Sequence, residues 1–494
     1  MGTNGVESHA SLFVAGGDRH GEKHTSFDVV NPGTGKVVGT SPTASTQDCD
    51  DAVSDAAAFQ PTWEKVPPSQ KRNIFIKASD LLQTPKYVDR IKLCYAQETG
   101  ATPVWTHFTN MAAVGYLREA ASQASMIRGE TYHSEKPDMD MLITQRRAAG
   151  VVFGIAPWNA PIPLSIRAIV FALVAGNTVI LKASELSPAT QRIVMDLMLE
   201  AGLPPRAMSF LIFSRTTAPE LTSRIIARRE IRRVSFTGSD VVGKSIASQC
   251  GQNLKPCILE LGGKAPVIVT EHAKDNLHSA AWGIVFGSLV HSGQVCMGTE
   301  RVLVHRSIYE EFQSLVAQRI KDIKAGDGKA LAALFSRGSA QSVLTHIRDA
   351  VGKGADLIAG TAPEEPEGTN KTTIQPTVLG NVTQDMSIWS RESFGPVVSL
   401  TPFDNMEEAV RLANDSDYSL SAGLWTSNLH EAMTYGPRIR AASLQVNGAT
   451  VYVETAIGNV GLAGASGFGR FNVEAFTDLR TIAFHAPDGK FPPF

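Results

Sequence analysis

From Gly150 onward, short runs of apolar and β-branched residues alternate with longer stretches in which apolar positions recur every three or four residues. Val151 to Ile155, Thr178 to Leu181, Ser209 to Phe213, Arg233 to Phe236 and Ile258 to Leu261 read as strands, short and with little polar alternation, as strands buried on both faces are. The segments between them read as helices. One carries its own boundaries: Ser187-Pro188-Ala189-Thr190 offers a capping serine and a proline at the first helical position, and Gly202-Leu203-Pro204-Pro205 stops it. A second series follows Cys296. It opens with a strand at Arg301 to His305 and a helix that places Ile308, Phe312, Leu315, Val316 and Ile320 on one face. It continues through a helix at Met406 to Ala413 and a strand at Ala422 to Thr426, and ends near Val446.

This alternation predicts an α/β fold of two doubly wound domains, each a largely parallel sheet covered by helices, with a crevice between them for ligands. Two polar segments, Tyr132 to Met141 and Thr477 to Phe494, fit neither series and read as linkers or as arms against a neighbouring subunit. Gly458 to Gly469 carries five glycines without a collagen-like repeat and reads as an ordered loop of close backbone approaches.

A chain of 494 residues has room for two or three cores. Lys and Arg number 46 against 48 Asp and Glu, with no block of either sign, so nothing points to nucleic acid and a small-molecule partner is expected. The five cysteines, Cys49, Cys94, Cys250, Cys257 and Cys296, are scattered without metal-type spacing; they suit a reducing compartment and predict no metal site. Met1 to Val6 lacks the apolar core of a signal peptide and the hydroxyl residue of a myristoylation site. Ala168 to Ala175 and Ala280 to Val290 fall short of the roughly 20 residues of a membrane helix. A cytoplasmic protein is therefore expected.

Several segments carry candidate chemistry. Ser292-Gly293-Gln294-Val295-Cys296-Met297 sets a thiol among small residues, where a carbonyl and backbone amides can approach closely; a lone cysteine is otherwise a small core residue. Glu260, 36 residues earlier, ends an apolar strand, where desolvation makes a carboxylate a stronger base; the alternative is a buried, paired structural glutamate. Asn159, in Pro157-Trp158-Asn159 after another strand, offers an amide to an oxyanion or simply turns the chain. Phe236-Thr237-Gly238-Ser239, with Gly243 beyond, ends a strand and opens a helix whose free amides attract phosphate, although such glycines are common at turns. Lys182-Ala183-Ser184-Glu185 follows a strand and suits either ribose hydroxyls or a solvated loop.

Taken in order, Pro157-Trp158-Asn159, Lys182-Ala183-Ser184-Glu185, Phe236-Thr237-Gly238-Ser239, Glu260-Leu261-Gly262-Gly263-Lys264, Gly293-Gln294-Val295-Cys296 and Glu392-Ser393-Phe394-Gly395-Pro396 resemble the aldehyde dehydrogenase superfamily, from about Asn31-Pro32 to Phe471. The resemblance implies that the Cys296 thiolate adds to an aldehyde and that the amides of Asn159 and Cys296 hold the oxyanion. Hydride then passes to a nicotinamide, and Glu260 activates the water that hydrolyses the thioester. It further implies that Lys182 and Glu185 hold the adenosine ribose and that Gly238, Ser239 and Gly243 lie by the pyrophosphate. Glu392 and Phe394 would position the nicotinamide end, with Ile155, Trp158 and Leu261 also on the cofactor. A carboxylate at Glu185 would accept from a ribose hydroxyl and repel a phosphate there, so NAD is expected over NADP. Residues 1–128 with 150–261 would then form the NAD-binding domain and 262–455 the catalytic domain. Residues 129–149 with 475–494 would form the oligomerisation arm of a homodimer or homotetramer, and 456–474 a glycine-rich loop returning to the cofactor domain.

Pro157 to Pro161 with Arg167, the run Cys296 to Arg301, and the helix containing Trp105 and Leu117 to Ala120 are most similar to the salicylaldehyde, vanillin and benzaldehyde dehydrogenase branch, which implies an aromatic aldehyde. Trp105, Phe108 and Met111 would line its pocket with Arg167, unless they are plain core. Val460 departs from the pattern by standing where an active-site Phe is usual, which would leave more room near the thiol. His291 stands where Asn is usual; its nearness to Cys296 invites a cysteine–histidine reading, but Glu260 already supplies a base. The rival readings are oxidation of aliphatic aldehydes or semialdehydes, a thiol esterase without redox chemistry, acyl transfer to coenzyme A, and a catalytically silent homologue.

Overall fold

The computed structural model describes residues 8–19, 25–135, 139–326, 328–452 and 454–485. The first seven residues, and the end of the carboxyl-terminal segment beyond His485, lie outside them. The strands read from the first apolar series belong to one eight-stranded sheet. Its parallel centre runs Cys257–Glu260, Ile231–Thr237, Val151–Ile155, Thr178–Ala183, Met208–Ile212. Successive strands are laid to one side from Val151–Ile155 and then to the other, so the order reverses between Val151–Ile155 and Ile231–Thr237. At such a switch point two loops diverge from the carboxyl edge and leave a crevice. Leu12–Val14 pairs antiparallel at one edge and Gly467–Phe468 at the other, where the glycine-rich run meets Leu259 and Glu260.

The second series forms a seven-stranded sheet with the central order Val397–Phe403, Thr299–His305, Ala265–Val269, Ser421–Trp425, Ser443–Val446, all parallel. The chain goes from the first sheet to the second through the four residues Leu261 to Lys264, and returns to the first between Val446 and Gly467. Side chains from the first sheet and its helices make one large core, and those of the second sheet make two, one on each face. The two leftover segments pair with each other: Met139–Ala148 and Thr477–His485 form a long antiparallel ribbon, joined by Thr131–Tyr132. Among the described residues, no helix is long and apolar enough to cross a membrane.

The helix Pro188–Ala201 has the boundaries read from the sequence, with Gly202 in the left-handed region at φ 105° after its last residue. Its cap differs. The Ser187 hydroxyl bonds Gln191 Oε1 at 3.1 Å, and the free amides at the helix start are taken instead by Glu98. Glu98 accepts from the Ala189 N–H at 2.9 Å, the Thr190 N–H at 2.8 Å and the Thr190 hydroxyl at 2.5 Å. A carboxylate from a helix 91 residues away leaves no signature in local sequence. Burial pushes its pKa up to about 7, restrained by those three donors. Glu98→Ala removes the acceptor and leaves two helix-start amides unsatisfied, and should destabilise the fold by about 1–3 kcal/mol. A urea-unfolding midpoint equal to that of the unaltered protein would contradict this capping role.

Candidate active site

Register brings the candidate residues of the first sheet to one edge. Ile155 lies opposite Lys182 and Phe236, and Thr237 lies opposite Glu260, so four strands end level with one another. Beyond these ends the chain turns away, through Trp158 and Asn159 into the helix Pro161–Val174 and through Gly238 and Ser239 into the helix Asp240–Gln252. Cys296 arrives from the other sheet. The helix Leu277–Leu289 ends at Val290, and His291 (φ 51°), Ser292 (φ 59°) and Gly293 (φ 75°) all take left-handed backbone, a sharp reversal that drives the following loop onto Glu260. A side chain at Gly263 would collide with the Cys296 carbonyl oxygen, so this approach requires glycine there.

Within the crevice the Cys296 thiol donates to Glu260 Oε1 at 3.3 Å. Burial, with Glu260 beside it, pushes the thiol pKa well above its ordinary value, so the resting group is the protonated thiol. The Arg167 guanidinium pairs with Glu260 Oε2, donates to the Thr237 hydroxyl at 3.0 Å and lies 4.3 Å from the centre of the Phe471 ring. The Asn159 carboxamide donates one N–H to the Gln294 carbonyl at 3.0 Å. Its backbone carbonyl accepts from the Tyr95 hydroxyl at 2.6 Å and the Trp105 indole N–H at 2.8 Å. Thiol, carboxylate and amide thus share one place, with the carboxylate held from behind by Arg167 and the amide by Gln294.

They lie at the floor of a cavity of about 500 Å³ whose walls include Trp105, Phe108, Tyr116, Leu164, Met297 and Leu444. Trp105 and Phe108 stack, with centroids 5.7 Å apart and planes 15° from parallel. Arg167 lines this cavity, and Met111 does not. On the helix Pro103–Gln123 six residues beyond Trp105 is about 120° around the axis from it, whereas Thr109, Ala112 and Tyr116 continue the inward face. Met111 is 63% exposed and borders a separate surface cavity with Ile91 and Arg118. Val460 also stays out of the pocket: it is 1% exposed and packed into the first core, while the preceding Ile457, Gly458 and Asn459 form the wall. The extra room expected of Val460 is therefore not formed by its side chain.

The cofactor candidates line the rest of the edge. The Lys182 ammonium is buried 3.9 Å from Glu185 Oε2, close enough to share a hydroxylated ligand and too far to satisfy each other. Ser239 caps the helix Asp240–Gln252 by accepting from the Val242 N–H, and a side chain at Gly243 would collide with Leu261. Glu392 accepts from the Gly263 N–H at 2.8 Å; burial and the nearby Glu300 push its carboxyl pKa up to about 8. Phe394, held at φ 50°, meets Trp158 edge to face at 6.1 Å. The donor set fits a dinucleotide: a helix start with small residues for pyrophosphate, and carboxylates and an ammonium for ribose hydroxyls.

Residues without individual sequence signals hold this edge in place. Lys264 is buried against Glu300 at 2.5 Å, and Glu300 accepts from the Ser393 and Phe394 N–H groups at 2.9 and 3.2 Å, fixing the loop that carries Glu392. Both lie inside runs singled out for their neighbours, but pairing across 36 residues has no local period. Tyr95 and Gln294 likewise act through Asn159. Among the described residues no three His, Cys, Asp or Glu side chains gather as metal ligands would.

Comparison with known proteins agrees with this geometry. The sequence pattern of the Aldehyde dehydrogenase family matches residues 19–482. The chain is 36% identical to vanillin dehydrogenase of Pseudomonas sp. strain HR199 over 98% of its own length and 99% of the relative's. It is 34% identical to salicylaldehyde dehydrogenase of Pseudomonas putida, covering 97% and 99%. The crystal structure of a salicylaldehyde dehydrogenase from Pseudomonas putida G7 complexed with salicylaldehyde superposes with a TM-score of 0.91 at 33% identity, covering 98% of this chain and 99% of that one. By sequence and fold, the chain belongs to the aldehyde dehydrogenase family, oxidoreductases that act on small aldehydes with a nicotinamide cofactor.

Proposed function

We propose that this chain oxidises aromatic aldehydes to carboxylic acids with NAD, through a covalent intermediate on Cys296. The observation that carries the reading is the Cys296–Glu260 contact at 3.3 Å on the floor of a cavity walled by Trp105, Phe108 and Tyr116. Flat rings stack well on such walls, and the relatives named for vanillin and salicylaldehyde act on substrates of that shape. As the thiol sulfur attacks the carbonyl carbon, its proton passes to the Glu260 carboxylate it already touches. The second N–H of Asn159 and the Cys296 backbone N–H receive the oxyanion of the thiohemiacetal. Nicotinamide, when bound, supplies the acceptor for the hydride that leaves this carbon. Glu260, having passed the first proton on to solvent, takes a proton from the water that attacks the thioester and returns it to the departing Cys296 sulfur, so that the carboxylic acid and the thiol are released.

In this reading the eight-stranded sheet is the cofactor domain and the seven-stranded sheet the catalytic domain. Lys182 and Glu185 would hold the adenosine ribose, Gly238, Ser239 and Gly243 the pyrophosphate, and Glu392 the second ribose. Ile155, Trp158, Leu261 and Phe394 would pack on the cofactor. The ribbon is the oligomerisation arm: Leu479, Ile482 and Phe484 are 59%, 40% and 43% exposed, surface that a second copy in a homodimer or homotetramer would cover. Five free cysteines suit a cytoplasmic location.

A substrate panel tests the reading directly. Salicylaldehyde, vanillin or benzaldehyde should be oxidised with a higher kcat/KM than long aliphatic aldehydes, and Cys296→Ala should abolish turnover while leaving cofactor binding intact. Faster aliphatic oxidation would overturn the substrate class, and surviving activity in the alanine variant would overturn the mechanism. Cofactor choice rests on Glu185, whose carboxylate repels a ribose phosphate, so kcat/KM should be higher with NAD than with NADP; the reverse order refutes the assignment.

Glu392 predicts a pH signature of its own. Its carboxyl pKa is raised to about 8 in the folded chain, so folding holds a proton that the unfolded chain has already lost. Its contribution is therefore complete at acid pH and is lost as pH rises through about 8. Glu392→Gln should raise the thermal midpoint more at pH 8 than at pH 5 while weakening cofactor binding. An equal shift at both values would show that this carboxylate is not desolvated.

A further inference from the structure

One ring in the crevice has no part in the chemistry above. His291 is 1% exposed, and neither ring nitrogen has a hydrogen-bond partner among the described residues. Burial lowers its pKa to about 3, so the imidazole is neutral. Its backbone sits at φ 51°, where ring-bearing residues are uncommon and histidine is better tolerated than most. Two desolvated polar atoms and a left-handed backbone are both unfavourable, and such a residue persists where its other contacts over-determine it.

Those contacts are made by the ring face. It stacks on Trp105 with centroids 5.2 Å apart and planes 9° from parallel, and meets Trp158 at 6.1 Å on another side. The same residue's carbonyl accepts from the backbone N–H and the side-chain Nε2 of Gln294, at 3.2 and 3.1 Å. The Gln294 carbonyl accepts from Asn159 Nδ2 at 3.0 Å, and the Asn159 carbonyl accepts from the Trp105 indole at 2.8 Å. The contacts therefore close on themselves: His291 backbone to Gln294, Gln294 to Asn159, Asn159 to Trp105, and Trp105 back to the His291 ring. Trp158, adjacent to Asn159 in the chain, also meets Phe394, so the ring borders the dinucleotide side as well.

We propose that His291 is a positioning residue whose ring face, wedged against Trp105 and Trp158, closes this circuit and fixes the Asn159 carboxamide in the orientation the oxyanion requires. The inference rests on the reading of Asn159 as oxyanion donor. His291 acts through its face and its carbonyl, and its ring nitrogens take no part: among the described residues they have no hydrogen-bond partner.

Two variants separate face from nitrogen. His291→Asn keeps a residue tolerant of left-handed backbone and removes the ring; His291→Phe restores a ring face without nitrogens. In the full-length protein, His291→Asn should lower kcat by about 10- to 100-fold, the scale of a misplaced or lost oxyanion donor, with KM for aldehyde and cofactor close to wild type. His291→Phe should recover most of the lost kcat. A folded His291→Asn variant with wild-type kcat overturns the proposal, as does one whose KM values rise in place of a fall in kcat. A folded His291→Phe variant as slow as His291→Asn also overturns it, by showing that the nitrogens matter; if the phenylalanine variant does not fold, the asparagine variant decides alone. Absence of aldehyde oxidation in the unaltered protein would instead sink the functional reading itself, a distinguishable outcome.

Discussion

Glu260 lies buried between a thiol that uses one of its oxygens and a guanidinium that fixes the other. The guanidinium is the partner that balances its charge. A carboxylate taken from water is tolerable only when it is paired, and breaking a buried pair by removing one member typically costs about 3–5 kcal/mol. Arg167 is itself buried and leans on Thr237 and the Phe471 ring, so its place depends on the neighbouring strand end and on the chain that returns after the glycine-rich run. The separation of the two sheets, the short crossing between them and the return strand Gly467–Phe468 all meet at this one carboxylate.

The same constraint explains why the crossing is glycine-rich. Leu261 to Lys264 must leave the first sheet beside Glu260, pass under Cys296 and enter the second sheet at Ala265. A side chain at Gly262 would run into the Glu392 carboxylate, and one at Gly263 into the Cys296 carbonyl. Lys264 then turns inward to Glu300, and through it holds the loop of Glu392 and Phe394. Four consecutive residues therefore set the geometry of Glu260, Cys296 and the Glu392 loop together, so a shift in any one of them would be felt at all three.

How much of this was legible depends on the range over which each signal acts. Strands such as Val151–Ile155 were readable to the residue because burial on both faces writes a continuous apolar run. The helix Pro188–Ala201 was readable because proline and glycine act locally, yet its true cap, Glu98, was not, because that carboxylate comes from another helix. The long ribbon read only as linkers or arms: one strand is mostly half-buried, the other mostly exposed, both mix apolar with polar residues, and only their pairing across the length of the chain makes them a unit. Cys296, Glu260 and Asn159 stood out through motifs, whereas Met111 was misplaced by counting threes along a helix of 3.6 residues per turn. Val460 was misplaced because likeness at a position does not say which way a side chain turns.

Among the described residues, buried groups without partners occur in the scaffold as well as at the site, but at the site they adjoin the candidate residues themselves. Away from the crevice, Asn177, Thr178 and Arg301 bond to backbone carbonyls, whereas Thr270 Oγ1 and Trp425 Nε1 are buried without a hydrogen-bond partner. In the crevice, Arg167 Nε, both nitrogens of His291 and the Ser393 hydroxyl are buried without hydrogen-bond partners. His291, Ser292 and Phe394 hold left-handed backbone there as well. Such groups are each unfavourable to the fold, and where they adjoin the Cys296 thiol, the Glu260 carboxylate and the Glu392 loop they fit the pattern expected when stability is given up for pre-organisation. The scaffold can carry that deficit because the sheets beneath are closely packed, with Val152, Ile180, Leu211 and Ile268 wholly buried, so that Cys296, Glu260 and Asn159 stay together on one cavity wall.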